Sequence, residues 1–320
     1  MSDEPAAKVA APRVSVIVPL FNKAPSVARS LASIANQTHR DLEAIVVDDG
    51  STDGGDAAVA ALGDPRFRLI RQANAGPGAA RNRGIAHASG EYVAFLDADD
   101  TWDPTYLERM IARLDAQPEA VAAVCSYRTE RRSLLPRRLR EGLRDGLARI
   151  VPETPAPFVV ALVAFMDPCT IVVRRADVVR VGGFYERDRC VYGEDAFLAF
   201  KLVFSGAIQL VLADLATKYL ECSALNVRRR ARPLEPLFVG AAELRACAKP
   251  ELRPLLDDAL ALRAGKAACV MTYWGRHREA RSLVAGFTRR RDLLRGWVVL
   301  GRLCASPIGA LAAAARQLKP

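Results

Sequence analysis

Three carboxylates fall within four residues in the stretch EYVAFLDADD, residues 91–100: Asp97, Asp99 and Asp100. Crowding them raises their mutual repulsion, so a cation or a set of donors must offset it. Alternate residues on an extended strand end point the same way, so Asp97 and Asp99 can converge on one point. Paired carboxylates are hard oxygen ligands, suited to Mg²⁺ or Mn²⁺ that keeps positions open for phosphate oxygens. The competing use is capping of a helix that begins near Pro104. That would employ one aspartate, Asp100 or Asp103, and leave the others unexplained.

A second pair, Asp48-Asp49, leads into the turn Gly50-Ser51-Thr52-Asp53. It reads either as a turn closed by Asx bonding or as a site where Asp49 accepts from a nucleobase N–H or a ribose hydroxyl. Gly76-Pro77-Gly78-Ala79-Ala80-Arg81 is a poor dinucleotide fingerprint, because Arg81 stands where the third glycine belongs and Pro77 intervenes. It reads better as a loop whose backbone and Arg81 approach a nucleotide, with a plain helix start as the alternative. Glu194-Asp195 follows Gly193 at a helix start, where acids complement the helix dipole. The same field would keep Asp195 ionised, as a general base for an acceptor hydroxyl needs. His39, His87 and His277 are isolated, and the seven cysteines form no CxxC pair. That argues for thiols in a reducing compartment and against a zinc site or a disulfide framework.

These groups need elements to hold them. Val14 to Pro19, Leu42 to Val47, Arg66 to Arg71 and Tyr92 to Leu96 are short apolar runs that read as strands. A helix from Pro25 buries Val27, Leu31 and Ile34, and another follows Gly76. Alternating strands and helices, with strands nearly all apolar, predict an α/β fold with a mostly parallel sheet covered on both faces. Ligands in such sheets bind beyond the carboxyl ends of the strands, where both aspartate clusters fall. Thr170 to Val173 and Gln209 to Leu212 read as later strands, and a helix runs from Glu194 to Phe204. Residues 131–157 read as a flexible loop or a short basic helix. From Pro236 onward the pattern becomes helical.

Taken together these motifs resemble the family 2 glycosyltransferases of GT-A fold. The matching pieces include Val14-Ser15-Val16-Ile17-Val18-Pro19-Leu20-Phe21-Asn22, Val46-Val47-Asp48-Asp49-Gly50-Ser51-Thr52-Asp53, Asn74-Ala75-Gly76, Ala80-Arg81-Asn82-Arg83-Gly84, Gly90-Glu91-Tyr92-Val93-Ala94-Phe95-Leu96-Asp97-Ala98-Asp99-Asp100, Gly182-Gly183-Phe184 and Gly193-Glu194-Asp195. Their order and spacing match over about residues 13–220. The resemblance implies that Pro19 and Asp49 hold the base of a nucleotide sugar, usually a UDP-sugar. It places Asp97 near the ribose, with Phe21, Asn22, Ser51, Arg81 and Ala98 also on the donor side. Asp99, with Asp97, would bind Mn²⁺ or Mg²⁺, and Asp195, beside Glu194, would deprotonate the acceptor. A single inverting displacement would follow, with no covalent sugar on the enzyme.

The chain departs from family patterns in two places. No QxxRW motif is present, so one sugar per encounter is expected rather than a polymer. Where many relatives carry Tyr-Arg-x-His, this chain has Tyr219-Leu220-Glu221-Cys222, with neither Arg nor His at Leu220 and Cys222. Arg228 to Arg230 could substitute.

The net charge of +10 is uneven: residues 226–320 hold 19 Lys+Arg against 7 Asp+Glu, and the rest is slightly acidic. The expected organisation is a flexible leader over 1–12, a GT-A domain over 13–225 and a basic helical region over 226–320. Trp297 to Ala315 is apolar but holds Arg302 and Pro307, against a spanning helix. Helices packed on the catalytic domain are favoured; a surface helix on an anionic membrane, helped by Arg289-Arg290-Arg291 and Arg295, is the alternative. The arginines lack interleaved aromatics, so no nucleic-acid partner is expected. The resulting expectation is a cytoplasmic or membrane-peripheral, non-processive transferase taking a nucleotide-sugar donor and a glycan or lipid-linked acceptor in surface polysaccharide assembly. The alternatives are a sugar nucleotidyltransferase, or a non-catalytic nucleotide- or partner-binding member of the fold.

Overall fold

Apolar strands bring their carboxyl ends to one rim. The computed structural model describes residues 11–219 and 234–287. Strand β1 (Val14–Leu20) pairs in parallel with β2 (Leu42–Asp48), which pairs in parallel with β3 (Phe67–Arg71). On its other side β1 pairs in parallel with β4 (Tyr92–Phe95). The alternation of a pleated strand is visible in β1: Val14, Val16, Val18 and Leu20 face one core, and Ile17 the other. Helix α1 (Ala24–Ala35) and α4 (Tyr106–Asp115) cover the first face through Val27, Leu31, Leu107 and Met110. Between them in sequence lie α2 (Ala57–Leu62), α3 (Pro77–His87) and the short strand β5 (Thr101–Trp102).

Past β4 the sheet changes direction. Strand β6 (Ala120–Thr129) pairs antiparallel with β8 (Ile171–Arg174), and β8 antiparallel with β4. Strand β9 (Ala207–Lys218) runs parallel to β6, with β5 and β7 (Gly146–Ala148) antiparallel to it. Sequence periodicity missed β6, because Ala120 to Cys125 is an alanine-rich apolar run without helix or strand signature; pairing to two neighbours decides it. It also clipped β9, whose polar half from Asp214 to Lys218 continues through register shifts against β6. Within residues 131–157 the short basic helix forms, as α5 (Leu135–Arg140), followed by β7 and the start of α6 (Ala156–Val163). Neither Asp100 nor Asp103 caps α4 with its side chain; Asp103 instead closes the turn before the helix, accepting from the Thr105 N–H and hydroxyl.

Helix α7 (Arg175–Arg180) precedes α8 (Glu194–Ser205), which buries Phe197, Leu198 and Phe200. The C-terminal helices α9 (Pro236–Val239), α10 (Ala241–Cys247), α11 (Arg253–Tyr273) and α12 (His277–Phe287) follow. Leu237, Leu244, Leu256 and Leu260 share one core with Phe197 and Phe200. That core ties the helical region to the sheet. No helix among the described residues is long and apolar enough to cross a membrane; Trp297 to Ala315, Arg228 to Arg230, Leu220 and Cys222 lie outside the described residues.

Candidate active site

The rim formed by β1, β2 and β4 opens into a cavity of about 370 Å³. Pro19 and Phe21 enter it from the end of β1, Asp49 from β2, and Asp97, Ala98, Asp99 and Asp100 from β4. Arg81 comes from α3, and Glu194 and Asp195 from the first turn of α8. Asn22 and Ser51 are not on the lining. They bind each other's loops instead: the Asn22 N–H donates to Ser51 Oγ at 3.1 Å, and Asn22 Oδ1 accepts from the Thr52 N–H at 2.9 Å. Their role in the geometry is to clamp the β1 and β2 ends together.

Two glycines make the rim possible. A Cβ on Gly78 would overlap the Tyr185 carbonyl oxygen, so α3 can approach the strap before α8 only with glycine there. Gly193 turns into α8 at φ +83°, a left-handed conformation that glycine adopts without cost.

Asp49 is almost fully buried and already accepts three bonds, from Gln72 Nε2 and the Ala75 and Gly76 N–H groups, each at 2.8 Å. It thereby shapes the 72–76 loop that walls the cavity. Arg81, 4 % exposed, spans the site: it donates to Asp97 Oδ1 at 2.6 Å and to Glu194 Oε1 at 3.0 Å. Burial alone would lower its pKa, but the charges of Asp97 and Glu194 outweigh that and raise it, so the guanidinium stays charged. Lys23 donates to Asp99 Oδ2 at 2.5 Å.

Beyond Asp100 lies a cluster that sequence motifs did not signal. Lys218, at the end of β9, donates to Asp167 Oδ2 at 2.6 Å and lies 3.8 Å from Asp100 Oδ2. Burial pushes the Asp100 carboxyl well up, reinforced by Asp97 and opposed by Lys218. Burial also acts upward on Asp167, but Lys218 prevails and holds it below the usual range. Lys218 and Tyr219 both line the cavity. The lysine sits one residue before the Tyr219-Leu220-Glu221-Cys222 segment, and the pairing of β9 with β6 brings it to the cavity.

The two acids of α8 divide. Glu194 is buried and raised to about 7, by burial first and then by Asp195, with Arg81 opposing. Asp195 is also raised, by burial and by Asp167, while the Ala196 N–H donating to its Oδ1 at 2.7 Å acts against the rise.

The acids of β4 can be tested against a divalent cation. Arg81 takes Oδ1 of Asp97 and Lys23 takes Oδ2 of Asp99, leaving the second oxygen of each for a cation. Among the described residues no three His, Cys, Asp or Glu converge into a full ligand set. A Mg²⁺ or Mn²⁺ ion fits here on the terms usual for phosphate chemistry: one or two carboxylates, with water and substrate completing the shell.

The model of glycosyl transferase family 2 matches residues 15–182, just over half of the chain. The chain belongs to glycosyltransferase family 2. The match ends before Glu194, Asp195 and Lys218, so the placement of these residues in the cavity rests on geometry. The succinoglycan biosynthesis protein ExoO of Rhizobium meliloti (strain 1021) is 41% identical over 155 residues, 48% of this chain and 44% of that protein. The putative glycosyltransferase EpsH of Bacillus subtilis (strain 168) is 40% identical over 121 residues, 37% of this chain and 35% of that one. The chain thus matches less than half the length of these relatives. Among solved structures, S. aureus TarS 1-349 in complex with UDP-GlcNAc superposes with a TM-score of 0.71 at 18% identity, covering 95% of this chain and 91% of that one. The mannosyltransferase PcManGT of Pyrobaculum calidifontis, in complex with GDP-Man and Mn²⁺, gives a TM-score of 0.53 at 22% identity, covering 97% and 88%. Both share the GT-A fold with this family 2 chain.

Proposed function

We propose that this chain is an inverting, non-processive glycosyltransferase. It moves one sugar from a nucleotide-diphosphate donor, a UDP-sugar, to a hydroxyl of a glycan or lipid-linked acceptor in surface polysaccharide assembly. The observation that carries this is a single cavity with Asp97 and Asp99 on one wall and Asp195 on another. The neighbours with UDP-GlcNAc and GDP-Man, and the succinoglycan relative, support the donor and acceptor classes by likeness.

On this reading Pro19 and Phe21 pack against the base, and Asp49 keeps the 72–76 loop in place beneath it. Arg81 fixes Asp97 near the ribose. Asp99 and Asp97 would hold a divalent cation, which when bound supplies positive charge for the departing diphosphate. Lys23 and Lys218 add ammonium groups to the same cavity, which compensates for the absence of Arg and His at 220 and 222. The acceptor hydroxyl gives its proton to Asp195 as its oxygen bonds to the anomeric carbon, and the bond from that carbon to the diphosphate oxygen breaks on the opposite face. Configuration inverts. The raised pKa of Asp195 makes it a stronger base than an exposed aspartate, and Glu194 positions Arg81.

The domain reading keeps a catalytic portion over 13–225 and a helical extension over 226–320, working cytoplasmically and peripherally at the inner face of a membrane. The core shared by α8 and α11 supports treating that extension as a wall of the same unit. Calorimetric titration with UDP, GDP and CDP, with and without Mn²⁺, is the deciding experiment. Mn²⁺-dependent UDP binding is expected; preference for GDP or CDP would change the donor, and absence of any nucleotide binding would overturn the catalytic reading.

A further inference from the structure

Two smaller cavities continue from Asp195 away from the donor cavity. The first, about 220 Å³, shares Asp167, Val191, Glu194 and Asp195 with it and reaches Tyr192 and Arg263. The second, about 200 Å³, shares Tyr192 and Arg263 and follows α11 past Lys266 and Val270 to Trp274 and Arg276. Arg263 to Trp274 spans about 16 Å at the rise of an α-helix, longer than one sugar ring. The polarity also reverses along this path. The donor cavity is lined by seven carboxylates against Lys23, Arg81 and Lys218. The far cavity has Arg263, Lys266 and Arg276 against one carboxylate, Glu235. Glu235 holds Arg263 at 2.5 Å and Glu279 holds Arg276, which fixes both guanidinium groups in place. Lys266 is exposed and makes no ion pair among the described residues, so it is the surplus charge. Tyr192 and Trp274 offer flat amphipathic faces, and Val191 and Val270 are 40% and 41% exposed beside them.

We propose that this groove is the acceptor subsite, and that it takes an oligosaccharide bearing an anionic group, a carboxylate or a phosphate, beyond the sugar that reacts at Asp195. The inference rests on the transferase reading above, because it needs Asp195 to be where acceptor and donor meet. Rings of the acceptor lie against Tyr192 and Trp274, and its anionic group meets Lys266. The positive lining attracts an anionic acceptor and repels a cationic one, and gives a neutral glycan no electrostatic gain.

The test uses the full chain saturated with UDP and Mn²⁺, titrated with trigalacturonate, a phosphorylated maltotriose and neutral maltotriose. At least one anionic trisaccharide is expected to bind at least tenfold tighter than maltotriose; which of the two does so distinguishes carboxylate from phosphate. Lys266→Glu should remove that preference and Trp274→Ala should weaken all three ligands, with UDP affinity unchanged. Lys249→Glu makes the same charge change beside a different cavity and should do nothing, which separates a site from general attraction to a basic chain. The inference is overturned if maltotriose binds as tightly as the anionic sugars, if Lys266→Glu acts no differently from Lys249→Glu, or if no trisaccharide binds while UDP does. Failure of UDP itself to bind overturns the transferase reading and this one together.

Discussion

The two halves of the sheet serve the cavity by different means. In the parallel half, β1 and β2 end level at Leu20 and Asp48 while β4 stops opposite Ile17, and each sends residues into the cavity from the few positions past its own end: Phe21 and Lys23, Asp49, then Asp97 and Asp99. In the mixed half, Asp167, Asp195 and Lys218 come from a pre-strand turn, a helix start and the far end of a long bulged strand. The first half can be read locally; the second is assembled from segments far apart in sequence. Arg81 joins them, with one hydrogen bond to each side. On the proposed reading, donor binding falls to the first half and proton removal to the second, so the two should respond separately to substitution.

The largest effect should come from the mixed half. Asp195→Asn is expected to lower kcat by about 10²–10⁴ while leaving UDP affinity within twofold, measured by initial rates and calorimetry. Near-normal transfer would remove Asp195 as the base. Next is the bridge. Arg81→Met leaves the buried Glu194 and the partly buried Asp97 without their shared partner, and should cost about 3–5 kcal/mol of stability at most, read as a drop in denaturation midpoint; a loss under 1 kcal/mol would mean that the halves are not coupled through it.

Asp99→Ala acts on the parallel half alone. It should weaken Mn²⁺-dependent UDP binding by about 10–100-fold and abolish the difference between titrations with and without Mn²⁺. If that difference survives, Asp99 does not hold the ion. The smallest effect is on pH. Asp195 must be ionised to act, and its pKa lies above that of an exposed aspartate, so kcat should fall as pH drops through that raised value. Asp167→Asn removes a negative charge that raises it, and should move this acid limb to lower pH. A shift toward higher pH would contradict the electrostatic reading.

Strands β1 to β4, helix α1 and the aspartate turns were legible because their signals are local: apolar runs closed by proline or glycine, and carboxylates at fixed offsets from a strand end. Asn22 and Ser51 show the limit of that reading. Their motif places them near the site, yet their side chains are spent on each other's loops. Strand β6 carried no usable strand signal, since its alanines favour helix locally and only pairing to β8 and β9 overrides that preference.

The sequence alone therefore determined the family pattern, the α/β class, the rim on which the acids lie and the helical character after Pro236. It could do so because backbone preference and hydrophobic period act over a few residues. Only the tertiary structure decided that Arg81 is shared between Asp97 and Glu194, that Lys218 reaches Asp167, and that Arg263 of α11 lines a second cavity with Asp195. Those contacts join residues 16 to 113 positions apart, and which charged groups meet there depends on how strands and helices pack.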